Sequence, residues 1–159
     1  MATSDGPAVI APTRFAAGFN RAAMWLARHG VSLLGSRVLE VRGRSSGEPR
    51  TTVVNLMRLD DGTTFLVAPR GITQWVKNVR ALPDGRVTTV LGRRREEWVA
   101  AELTEPDEAV PALRHYLQKW AWEVGAFFPP GISAKSPDAE LAALVGRKPV
   151  FRLTPARAA

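Results

Sequence analysis

From residue 37 to residue 104 apolar and polar positions alternate with a period of two and β-branched residues dominate, the signature of strands with one face turned inward. Five strands are expected: Arg37 to Arg42, Arg50 to Leu59, Thr63 to Ala68, Arg86 to Leu91 and Glu97 to Leu103, with Pro149 to Leu153 returning as a closing strand. Asp60-Asp61-Gly62 reads as a tight hairpin, since Asp-Gly supplies the backbone conformation such turns need, and Gly92-Arg93-Arg94-Arg95 as the loop joining the fourth and fifth strands. Elsewhere the period lengthens to that of a helix. Thr13 reads as an N-cap, and Phe15, Phe19, Ala22 and Leu26 share one face before Gly30 ends the run. Thr73 is expected to cap a short helix to Arg80, with Trp75, Val76 and Val79 on its inner face and Asn78 about one turn from Trp75. Thr104-Glu105-Pro106-Asp107-Glu108 begins a helix running towards Phe128, with a break or kink expected at Pro111, and Ser136-Pro137-Asp138 begins a last short one ending at Gly146. Strands that need closure and helices that cover openings give an α+β or mainly β expectation: a single-domain, six-stranded antiparallel closed or split β-barrel over 13–155. Residues 1–12 read as a disordered tail and 156–159 as a short one.

Composition narrows the chemistry. With 159 residues and 45% hydrophobic content one core is expected. The absence of cysteine excludes disulfide frameworks, thiol enzymes and cysteine-zinc sites. No apolar run approaches the roughly 20 residues of a membrane span, and the first residues lack a signal pattern, so the expected location is the cytoplasm. A second reading of the amino-terminal helix sets Arg14, Arg21 and Arg28 beside its aromatic residues as a peripheral contact with the inner face of the membrane. The net charge of +7 is unevenly spread, with 1–95 strongly basic and 96–146 acidic, so an anionic small-molecule partner is expected.

The usual catalytic arrangements are absent. His29 and His115 are the only histidines, Ser45-Ser46 lies in no nucleophile-elbow frame, and neither a Walker loop nor a dinucleotide fingerprint occurs. No metal site is expected. What remains is Gly43-Arg44-Ser45-Ser46-Gly47-Glu48-Pro49-Arg50 between two strands, where glycines expose backbone N–H groups, hydroxyls donate, and Arg44 and Arg50 can fork onto phosphate oxygens. A solvated hairpin with basic flanks fits the same composition. A second basic stretch weighs for the anion: Arg70-Gly71 leads into the helix start at Thr73, and 70–95 carries seven positive charges against Asp84 alone, so both stretches are expected to line one groove.

These residues resemble the deazaflavin-dependent nitroreductase family, split-barrel reductases that use reduced coenzyme F-420. The resemblance runs from about Val38 to Phe128 and rests on Val38-Leu39-Glu40-Val41-Arg42-Gly43-Arg44-Ser45-Ser46-Gly47, Arg50-Thr51-Thr52, Val67-Ala68-Pro69-Arg70-Gly71 and Trp75-Val76-Lys77-Asn78-Val79-Arg80-Ala81. It implies that Arg44, Ser45, Ser46, Gly47 and Arg50 hold the cofactor phosphate, with Ala68, Pro69, Arg70 and Gly71 beside them and Trp75 and Asn78 on a supporting helix. Many relatives carry Lys where Ser45 stands, Pro where Val53 stands and Tyr near Asn55. The resemblance also implies a hydride acceptor such as a quinone, a nitroaromatic or an activated alkene. Trp120, Trp122, Phe127 and Phe128 are the candidate roof of its pocket, and Asn55 and Tyr116 the candidates to polarise it or relay a proton. The alternatives are a split-barrel oxidoreductase binding FMN, whose single phosphate needs fewer basic groups, and a nucleic-acid module, which the lack of aromatics in the basic hairpins disfavours. Either a monomer or a homodimer is compatible with the pattern.

Overall fold

The computed structural model describes residues 35–157, together with Arg21, Met24 and Trp25, which are helical. The rest of the amino-terminal helix expected after Thr13, the tail before it and the membrane contact assigned to that helix lie outside the described residues. The chain divides into two compact units, one built from 35–66, 74–102 and 151–157 and the other from 67–73 and 103–150.

The first unit is organised by the barrel. Strands β1 (Ser36–Arg42), β2 (Pro49–Arg58), β3 (Thr64–Val67), β4 (Arg86–Leu91), β5 (Arg94–Glu102) and β6 (Val150–Pro155) close in the order β1-β2-β3-β6-β5-β4. β1 closes the ring by pairing antiparallel with both β2 and β4, Val38 standing opposite Val53 on one side and Val90 on the other. Leu39, Val41, Leu56, Phe65, Leu66, Val87, Trp98, Phe151 and Leu153 are buried, and closure gives each of the six described strands a neighbour on both sides. Trp98 is buried with its polar edge satisfied, because its indole Nε1–H donates to Thr89 Oγ1 at 2.9 Å across the β4–β5 pair. Without that acceptor the N–H would cost about 1–3 kcal/mol.

Two turns refine the expected strands. The β2–β3 hairpin closes at Asp60-Asp61-Gly62 as expected, the Asp61 carboxylate accepting the Thr63 N–H at 2.8 Å. Hydrogen bonding with Thr63, from its side chain first and then from this backbone N–H, holds the Asp61 carboxyl below its usual range. The β4–β5 connection is shorter than the four residues expected. Leu91 pairs with Arg94, because Gly92, at φ 60°, reverses the chain with only Arg93 beside it, and Arg94 and Arg95 therefore belong to β5. Helix α1 (Gln74–Ala81) buries Val76, Asn78 and Val79. The Thr73 hydroxyl before it has no hydrogen-bond partner, so the expected side-chain cap is not made.

The second unit is helical. α2 (Pro106–Val124) starts with Pro106 in its first turn and Asp107 and Glu108 beside the positive end of the helix, and it continues through Pro111. Its buried face runs Ala109, Val110, Ala112, Leu113, Tyr116, Leu117, Trp120, Val124, the spacing of one helical stripe. A short 3-10 turn (Gly125–Phe127) follows, and α3 (Asp138–Ala142) buries Leu141. Arg114 ties α2 to the loop before α3, donating to the carbonyls of Ala134 and Ser136 and to the Asp138 carboxylate. Among the described residues no helix is long and apolar enough to cross a membrane.

Candidate functional site

The hairpin between β1 and β2 is drawn tight by its own backbone. Gly43 N–H donates to the Glu48 carbonyl at 2.8 Å and Gly47 N–H to the Gly43 carbonyl at 2.9 Å. A Cβ at Gly43 would stand 2.9 Å from Ser46 Oγ and 3.2 Å from the Glu48 carbonyl oxygen, so a larger residue there would require the Ser46 side chain to turn aside and the Glu48 carbonyl to give slightly. Ser46 Oγ accepts from Glu48 N–H at 3.2 Å and from Arg50 at 3.4 Å, while Arg42 donates to the Gly47 carbonyl at 3.2 Å. Arg44 reaches out of the hairpin to α1. Its Nη1 donates to Asn78 Oδ1 at 2.8 Å, its Nη2 to Gln74 Oε1 at 3.0 Å, and its backbone N–H lies 3.3 Å from the same Asn78 oxygen. Ser45 is exposed at the tip.

The charge pattern differs from the one expected for 70–95. Arg80 is held by Glu102 at 2.6 Å, Arg86 faces Asp84 and Glu97, Arg94 meets Glu96 at 3.0 Å, and Arg95 meets Glu40 at 3.0 Å. Arg58 shares Glu96. Apart from Asp84, which lies just before β4, the carboxylates come from β1 and β5. Four of the seven charges are therefore neutralised at the barrel surface and do not make an anion groove. Arg42, Arg44 and Arg50 differ: among the described residues no carboxylate pairs with any of them, and every acceptor they meet is neutral.

In the second unit Ala68 and Gly71 are buried, with Gly71 N–H donating to the Ala68 carbonyl at 3.0 Å. The Arg70 guanidinium lies 5.0 Å from the centre of the Phe127 ring, a cation–π contact. Lys148 fastens this region, its Nζ donating to the Pro69 carbonyl at 2.7 Å and to the Phe127 carbonyl at 2.6 Å and lying 5.4 Å from the Phe128 ring. Burial pushes the Lys148 ammonium below lysine's ordinary value.

The four roof candidates do not act as one face. Trp120 is fully buried and Trp122 is 71% exposed, as expected for positions about 200° apart around a helix. Phe127 is half-buried and Phe128 buried. Tyr116 is buried with its ring 5.1 Å from that of Trp120. Asn55 is half-buried on β2 opposite Ser36. Trp75 packs its ring 5.5 Å from that of Phe151. Of the sequence-predicted residues, the fold thus joins Arg44 to Asn78, Ser46 to Arg50, Arg70 to Phe127 and Tyr116 to Trp120.

Residues 20–123 match the model of the F-420H(2)-dependent quinone reductase family. The chain belongs to this family. Membership agrees with the deazaflavin oxidoreductase framework expected from the hairpin and the Trp75 to Asn78 helix. No curated protein matches the sequence. Similar solved structures include a protein of unknown function from Agrobacterium tumefaciens, with 22% identity over 92% of this chain and 59% of that one, at TM-score 0.50. A conserved hypothetical protein from Mycobacterium tuberculosis is 20% identical over 77% and 73% of the two chains, at TM-score 0.50. The heme storage protein HutZ from Vibrio cholerae is 12% identical over 78% and 83%, at TM-score 0.51. At such identities the likeness is one of fold, and this chain spans less than two thirds of the Agrobacterium protein.

For a quinone reductase family member, two residues of interest escape a reading of the sequence. Gln74 has a signal that goes unused, its i,i+4 spacing from Asn78 on the same helix face. Lys148 has none, because it lies 79 positions from Pro69 and outside the matched segment.

Proposed function

We propose that this chain transfers a hydride from reduced coenzyme F-420 to an electron-poor small molecule of the quinone, nitroaromatic or activated-alkene class. The observation that carries the reading is the hairpin with three guanidinium groups facing only neutral acceptors, one of them, Arg44, oriented by two side chains of α1. Such a surface fits a polyanionic cofactor, since guanidinium groups not already paired retain their full attraction for phosphate oxygens. In this reading Arg44, Arg50, Ser45 and Ser46 bind the phosphate, with Gly43 and Gly47 shaping the turn that presents them. Arg70 and Gly71, with Ala68 and Pro69, are proposed separately as cofactor-binding residues of the second unit, where Lys148 fixes the Pro69 carbonyl. Trp75 and Asn78 support from α1.

When bound, the reduced coenzyme would supply the hydride from a carbon centre. The protein sets position and electrostatics. Either Asn55, through an amide N–H, or Tyr116, through a phenol O–H, is the proposed group for polarising the acceptor. Titration of the purified protein with F-420, FMN and a short oligonucleotide at moderate salt separates this reading from its competitors. Saturable binding of F-420, tighter than of FMN, is expected, and binding confined to the oligonucleotide overturns the reductase reading.

A further inference from the structure

Arg44 is tethered differently from five other arginines of the barrel unit. Arg58, Arg80, Arg86, Arg94 and Arg95 are each partnered by carboxylates. The two side-chain partners of Arg44, Gln74 and Asn78, are amides one helical turn apart on α1. A guanidinium carries only donors, so each amide must present its oxygen to it, and the amide nitrogens face elsewhere. The tether therefore restricts the flexible side chain without cancelling its charge. Asn78, only 6% exposed and also within reach of the Arg44 backbone N–H, fixes the base of the arrangement, whereas Gln74 is exposed and holds the second terminal nitrogen. The remaining guanidinium N–H groups are then pre-aimed, which lowers the ordering cost of capturing an anion.

We infer that Gln74 and Asn78 are positioning residues for anion capture: they hold the Arg44 guanidinium in one geometry through neutral oxygens, so that it meets a phosphate group of the ligand oriented and uncompensated. The identity of that ligand as F-420 rests on the function proposed above; the charge logic does not. A carboxylate at either position would hold Arg44 at least as firmly but would neutralise it.

This contrast defines the experiment. Gln74→Glu, and Gln74→Glu combined with Asn78→Asp, are titrated against F-420 and, separately, against inorganic pyrophosphate as a bare phosphate anion, with melting temperatures recorded alongside. Gln74 is exposed, so its variant keeps the test valid if the buried substitution disturbs the fold. At least tenfold weaker binding of both anions in Gln74→Glu, with an unchanged or raised melting temperature, is expected, with a greater loss in the double variant. If Gln74 serves only to brace the hairpin, the carboxylate braces it equally well; affinity within twofold of the unmodified protein overturns the inference, as does a failure of the unmodified protein to bind either anion. Binding of pyrophosphate but not F-420, still lost in the variants, supports the inference while removing the cofactor assignment.

Discussion

Replacing Arg44 and Arg50 together by alanine is expected to raise the F-420 dissociation constant at least tenfold while leaving the melting temperature almost unchanged. Both side chains are exposed and neither takes part in an ion pair among the described residues, so the folded state loses only hydrogen bonds to Asn78, Gln74 and Ser46. The bound state loses more. Each charge-assisted contact to a phosphate contributes about 1.5–3 kcal/mol, and 1.4 kcal/mol is already a factor of ten. Two such contacts leave room for a much larger effect. Fluorescence or calorimetric titration measures it, and an affinity within twofold of the starting protein removes the hairpin from the phosphate site.

The second large effect is on stability and separates two neighbouring tryptophans. Trp120 is fully buried against Tyr116, with Lys119 Nζ 4.8 Å from the centre of its ring. Trp120→Ala empties that volume and is expected to cost about 3–5 kcal/mol, the range for truncating a large buried aromatic. Trp122 has its indole N–H on the Lys119 carbonyl at 3.2 Å and most of its ring in water. Trp122→Ala is expected to change stability by no more than about 0.5 kcal/mol. Denaturant titration of the two variants gives both numbers. Equal losses would contradict a single buried stripe on α2, and slower turnover in Trp122→Ala at unchanged stability would assign Trp122 to the acceptor side.

The barrel was legible because alternation, Asp61-Gly62 and Gly92 are local signals. Local rules also explain where the structure departs from the expected pattern. The fifth strand begins at Arg94, since one glycine at positive φ suffices for a turn that a run of arginines made look longer. The basic stretch from 70 to 95 looked like an anion surface because charge was counted along the chain. Pairing is across it: Glu40 reaches Arg95 over 55 positions, and Glu102 reaches Arg80 over 22. The Arg44 hairpin survived this correction, for its three arginines meet no such carboxylate. On α2 the helical period already separated Leu113, Tyr116, Leu117 and Trp120 from Trp122, so the two tryptophans need not have been grouped. Lys148 was beyond reach, because what it holds are main-chain carbonyls, which leave no trace in residue type.

Membership of the quinone reductase family and the uncompensated hairpin converge on one chemistry, and turnover tests it most directly. Reduced F-420 and a simple quinone are mixed anaerobically with the purified protein, and the return of oxidised cofactor is followed by absorbance. The account predicts cofactor oxidation at a rate proportional to protein concentration, saturable in F-420 and strongly reduced at fixed subsaturating cofactor when Arg44 and Arg50 are both alanine. A rate that does not depend on the protein, across quinones, nitroaromatics and activated alkenes, would contradict it.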